Sequence, residues 1–134
     1  MSEIVLWQNK EKKIIDPKLF SEQAETLAKK LAEESEQSRK KANKRTQIRR
    51  FYDEVLRLEN ETKTRPGEWH NILPRLHLLT AKAAYARGRD LVSDNFVNFI
   101  KTSINQIHHQ DDLVVFANFF EALMGFYRLH GPAN

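Results

Sequence analysis

At 134 residues the chain has the length of one ordinary domain, and its 40% aliphatic and aromatic content, with eight Phe, three Tyr and two Trp, suffices for one hydrophobic core. The absence of cysteine excludes disulfides, thiolate zinc sites and thiol nucleophiles, and the four glycines and four prolines disfavour a sheet of many short strands. The formal charge of +4 is modest but segregated: Glu22, Glu25, Glu33, Glu34 and Glu36 precede a run from Ser38 to Tyr52 that holds seven basic residues and no acidic one.

Residues 1–15 show no clear period and no small-residue cleavage site. They read as an arm or short docking strand ahead of a single domain over 16–134. No stretch approaches the roughly 18 apolar residues of a membrane span, and the expectation is a cytoplasmic protein. Asp16 and Pro17 then signal a helix start, followed by Phe20, Ala24, Leu27 and Leu31 at helical spacing. Beyond Leu31 this stripe thins to Ser35, Ser38 and Ala42, which predicts a weakly anchored second half that frays or awaits a partner.

A second helix is predicted from about Thr46 to Glu61, with Ile48, Phe51, Tyr52, Val55 and Leu56 inward and Arg45, Arg49, Arg50 and Arg57 opposite. Thr62 to Gly67 reads as a loop. A third helix runs from near Asn71 to Arg87, tolerates Pro74 in its first turn and stops at Gly88; its packing stripe is Ile72, Leu76, Leu79 and Ala83, broadened by Leu73 and Leu78. A fourth runs from about Ser93 to His108, with Phe96, Phe99, Ile100, Ile104 and Ile107 on one face.

Asp111 and Asp112 cap a fifth helix that ends before Gly131. Leu113, Phe116, Phe120, Leu123 and Tyr127 form one apolar face of it, and Val115, Phe119, Ala122, Phe126 and Leu129 a second. Such a helix is either the buried centre of a bundle or half of an interface. The thin first helix makes a second copy a plausible cover, so self-association as a dimer or filament is expected. The fold class is all-α, a compact bundle of about five helices.

Two basic clusters are candidate phosphate contacts. Lys44, Arg45, Arg49 and Arg50 form the first, and Arg39, Lys40 and Lys41 lie just before it. Arg75, Lys82 and Arg89 recur at seven-residue spacing along one edge of the third helix, with Arg87 completing an RGR corner. Cations on one helix face bridge successive phosphates without reading sequence. The same features also suit a solvated face and favourable placement at a helix C-terminus. Phe51, Tyr52 and Tyr85 lie among these cations and can stack on bases, but all three are expected in the core. His70, His77, His108, His109 and His130 include no i, i+4 pair around a glutamate, and there is neither a Gly-rich phosphate loop nor a nucleophile elbow. No catalytic residue, metal or cofactor is expected.

The stretches NKRTQIRRFYDEV (43–55) and LPRLHLLTAKAAYARGR (73–89) resemble the two signature segments of the small helical subunit of type III-A CRISPR-Cas (Csm) complexes, and FANFFEALMGFYRLHG from Phe116 is similar to that family's C-terminal helix. The resemblance implies a non-catalytic subunit present in several copies within a crRNA-guided ribonucleoprotein that serves antiviral defence. Its copies line the groove for target RNA beside a repeated backbone subunit and a large subunit, which cleave. It carries RNA contact onto Lys44, Arg45, Arg49, Arg50, Arg75, Lys82, Arg87 and Arg89. The competing reading is a helical adaptor whose basic face meets an acidic protein.

Overall fold

A computed structural model describes residues 3–134, of which the helical share is 71%. Its helices are α1 (Ala24–Gln37), α2 (Arg45–Thr64), α3 (Trp69–Gly88), α4 (Asp94–Ile104) and α5 (Gln110–His130). A π-turn, Leu19–Gln23, leads into α1, and a 3-10 turn, Pro66–Glu68, leads into α3. The expected all-α bundle is thus present. In it α5 packs against both α1 and α2, while α3 packs on α4 and α2.

Asp16 starts the first helical segment as expected, but through a wider turn. Its carboxylate accepts from the Lys18 amide at 2.9 Å and from Gln23 Nε2 at 2.9 Å. At about 100° per residue Leu19 and Ala24 would diverge around an α-helix. The π-turn, closed by Gln23 N donating to Lys18 O, brings both to one side, and both are fully buried.

α1 does not fray. It closes at Gln37 by a Schellman turn, with Arg39 N donating to Glu36 O and Lys40 N to Ser35 O, and Arg39 and Lys40 adopt left-handed φ of 58° and 64°. Ser35 is buried, and the Glu34 carboxylate accepts from Ser93 Oγ and Asn95 Nδ2. Small and polar residues anchor this half of the helix, which an apolar stripe could not reveal. α3 likewise ends differently from expectation. Gly88 stays helical, and Asp90 at φ 61° is the left-handed residue, with Leu91 N donating to Ala86 O and Asp90 N to Arg87 O. α3 also starts at Trp69, so Pro74 lies in its second turn; the carbonyl it leaves unpaired belongs to exposed His70.

The two faces of α5 are both covered within one chain. Phe116, Phe119, Phe120, Leu123 and Tyr127 are fully buried, Val115 nearly so, and Ala122 and Phe126 half-buried. Phe99 of α4 and Phe120 together centre the aromatic cluster, the Phe99 ring centroid lying 5.7 Å from Phe116, 5.6 Å from Phe119 and 5.3 Å from Phe120. Each such pair adds about 0.5–1.5 kcal/mol to area burial. The face that argued for a second copy is covered within the chain: α1 and α2 pack on α5, Phe99 of α4 meets Phe119, and only Leu129 of the set is largely exposed.

Asn43 holds the elements in register. It sits at φ 58°, a left-handed conformation that Asn tolerates better than most residues. Its amide donates to Leu91 O at 3.0 Å, and its Nδ2 donates to Leu31 O and Ser93 Oγ. Its Oδ1 accepts from Ser93 N, and its carbonyl accepts from the Tyr127 hydroxyl. One fully buried residue thereby ties α1, the α3–α4 corner and α5 to the start of α2. Burial, with Glu34 nearby, pushes the Tyr127 phenol well above its ordinary range, so it stays a donor.

Residues 4–14 pack on the bundle. Leu6 is fully buried, its amide donates to Gln106 Oε1, and Asn9 and Ile14 close a small hairpin. Asp112 secures this segment. Its carboxylate accepts from Trp7 Nε1 at 2.8 Å, Lys10 Nζ at 2.5 Å and the amides of His108 and His109. It therefore also caps α5, in a capping box with His109. Burial alone would raise the Asp112 carboxyl, but Lys10, the two amides and Trp7 together hold it below the ordinary carboxylate value.

Two outcomes are expected. Asn43→Ala should destabilise by roughly 2–4 kcal/mol, because it orphans the part-buried Ser93 amide and strains the left-handed position; an unfolding free energy from denaturant titration within about 1 kcal/mol of wild type would show that Asn43 is not a keystone. Because Asp112 is depressed in the folded state, its stabilisation is present above the ordinary carboxylate pKa of about 4 and is lost as pH falls below it. The Trp7 indole NH resonance should therefore shift in acid before the core unfolds; a resonance unchanged until global unfolding would contradict this.

Candidate nucleic-acid interface

The fold divides the basic run of the sequence into cations with local partners and cations without. Arg39 and Lys40 form the turn after α1, Lys40 lies 3.9 Å from Glu36, and Lys41 lies 3.8 Å from Asp90. From Arg45 onward the run is helical, so its side chains separate around α2. Gln47, Arg50, Phe51 and Glu54 share one side of α2, at steps of three and four. Lys82, Tyr85, Ala86 and Arg89 share one side of α3 by the same spacing.

These two sides face each other across an open groove of about 250 Å³, with Phe51, Leu79, Ala86 and Leu91 as its apolar lining. Arg50, Lys82 and Arg89 all line it. Its one carboxylate, Glu54, is engaged by the Arg57 guanidinium. The groove is thus cationic, and Leu91, whose carbonyl accepts from the Asn43 amide at the α3–α4 corner, is part of its lining.

The eight candidate cations therefore sit in different surroundings. Arg50, Lys82 and Arg89 meet in the groove; Lys44 is exposed at the N-cap of α2. None of these four forms an ion pair among the described residues. Arg49 lies 3.7 Å from Asp53 along α2 and stays exposed. Arg45 is turned to the C-terminus: its guanidinium donates to Pro132 O at 2.9 Å and its amide bonds Asn134 O. Arg75 grips Glu61 of α2 at 2.6 Å and 3.4 Å, and that hydrogen bond lowers the Glu61 carboxyl below its ordinary value. Arg87 donates to Asp94 at 2.7 Å and Asp90 at 3.2 Å, so it braces the corner; Asp94 foremost raises its guanidinium further.

Tyr85 departs from expectation. Phe51 and Tyr52 are buried, but Tyr85 is 69% exposed, with the Arg89 guanidinium 5.8 Å from its ring centroid. Helical arithmetic explains it. Around α3, Tyr85 falls about 140° from the centre of the buried set Ile72, Leu76, Leu79, Ala83 and Ala86, and Leu78 about 120°. Leu78 is correspondingly 51% exposed. Its spacing to Lys82 and Arg89, not to the leucines, was the informative signal.

Among the described residues no three His, Cys, Asp or Glu side chains cluster as a metal site, and no helix is long and apolar enough to cross a membrane. Fold and groove together define a small all-helical protein with a one-sided cationic channel between two of its helices. Residues 16–133 match the family Csm2 Type III-A, and the chain belongs to that family: it is a small subunit of a type III-A Csm complex. No curated protein and no solved structure matches it.

Proposed function

We propose that the chain is a non-catalytic RNA-binding subunit, lining the path of target RNA in a crRNA-guided antiviral complex through the groove between α2 and α3. The observation that carries this reading is the convergence of Arg50, Lys82 and Arg89, three cations without ion pairs among the described residues, on one groove whose single carboxylate is already engaged. Phosphate is the chemistry that fits such a channel, because it needs charge and no fixed base pattern.

Lys44, and Arg49 once its pairing with Asp53 is exchanged, extend the same surface along α2. Arg45, Arg75 and Arg87 serve as frame: each holds one segment of the bundle against another. In the assembled complex the crRNA, the repeated backbone subunit and the large subunit are the proposed neighbours, and the bundle repeats in several copies along the RNA.

The test is single-stranded RNA binding by the full chain as a function of salt. Arg50→Ala and Lys82→Ala should each weaken binding to all sequences alike and lower the log–log salt slope by roughly 0.7, the value for one phosphate contact on a single strand. Arg75→Ala should leave the slope unchanged. Slopes unaffected by either groove variant would overturn the assignment. Failure to bind RNA at any salt, with a salt-resistant acidic protein partner instead, would favour an adaptor.

A further inference from the structure

The groove contains one feature that phosphate binding does not use. A lone exposed aromatic ring on a protein surface calls for no explanation. Tyr85, however, is exposed within a groove that it shares with Arg50, Lys82 and Arg89. Its position on α3 is fixed: Ala83 and Ala86, either side of it, are buried against the bundle, and the corner beyond is locked by the Schellman turn at Asp90 and by Arg87 bridging Asp90 and Asp94. The ring is thus an exposed apolar plate on a rigid helix with cations around it.

We infer that Tyr85 is a nucleobase-stacking platform, at which one unpaired base of the bound strand lies on the ring while Arg50 and Lys82 take the flanking phosphates. This rests on the groove being the RNA surface. A helix-borne plate suits the role because the ring needs little further ordering when a base arrives, and stacking is tolerant of base identity since every base has a π-face. Arg89 has two positions open to it. At 5.8 Å from the centroid it is at the outer limit of a cation–π contact, so a base can add to the free face of the ring, or displace the guanidinium toward a phosphate. Both leave the phenol hydroxyl outside the contact, so the stack depends on the ring and not on the hydroxyl.

The contribution of the ring differs from that of the cations in two measurable ways: it requires a base, and it releases no counterion. Binding is measured for the full chain on two strands of equal length, a base-bearing single-stranded RNA and an abasic phosphodiester strand. Tyr85→Ala should lose roughly tenfold on the base-bearing strand, the order of one base–aromatic stack, with no loss on the abasic strand and an unchanged salt slope. Tyr85→Phe should bind as wild type. Because Tyr85 is exposed, the melting temperature should not fall, and this is checked in parallel. If Tyr85→Ala matches wild type, or weakens both strands equally, while Lys82→Ala weakens both, the stacking platform is refuted and the phosphate groove stands. If Tyr85→Ala and Lys82→Ala both bind as wild type, the groove reading falls and takes this inference with it.

Discussion

The hydrogen-bond set of Asn43 is the constraint on which the rest of the molecule depends. A short polar residue in a left-handed conformation satisfies all its donors and acceptors inside the bundle, on Leu31, Leu91, Ser93 and Tyr127. Buried polar groups are costly unless fully paired, and fully paired they specify one arrangement. Hydrophobic burial around Phe99 and Phe120 supplies cohesion but little direction, since many packings bury the same rings. Asn43 supplies direction. It sets the first residue of α2 against the last turn of α3, and so sets the distance across which Arg50 faces Lys82 and Arg89.

A second polar node does the same work at the other end. Asp112 collects Trp7, Lys10 and two backbone amides, and thereby closes the α4–α5 junction and lays residues 4–14 over it. Trp69 Nε1 donating to His108 O, and Gln110 Nε2 donating to Thr62 Oγ1, tie the starts of α3 and α5 to the same region. Between these nodes lies the apolar core. The cationic groove opens on its α2–α3 flank, where core residues Phe51, Leu79 and Ala86 also form the lining.

What the sequence made legible follows from which forces are local. The five helices and their inward faces were readable because apolar periodicity is a local signal, and Ser93 and Asp112 were recognisable as helix-start residues. The anchoring of α1 was not, because it rests on small, buried Ser35 and on hydrogen bonds from residues outside the helix: Ser93 and Asn95 to the Glu34 carboxylate, and Asn43 to Leu31 O. Gly88 was the obvious stop, yet Asp90 adopted the left-handed turn; a glycine permits that conformation without requiring it. Among the site cations, spacing alone grouped Arg75 with Lys82 and Arg89. The structure separates them, since Glu61 on the neighbouring helix captures Arg75. Arg45 and Arg87 were equally unreadable, because Pro132 O and Asp94 reach them through the fold. Tyr85 was expected in the core on its helical spacing, yet the angle measured from the buried set of α3 puts it on the outer side, and it is exposed.

The proposed function requires that a single strand of RNA seat in the α2–α3 groove. Its most direct measurement is chemical-shift mapping during titration of the isotope-labelled chain with a short single-stranded RNA at low salt. Perturbations should concentrate on the Arg50 and Arg89 guanidinium signals, the Lys82 side chain and the Tyr85 ring, with Arg45 and Arg75 silent. Perturbations spread evenly over all exposed Lys and Arg, or gathered around Leu129 and the C-terminal turn of α5, would contradict it.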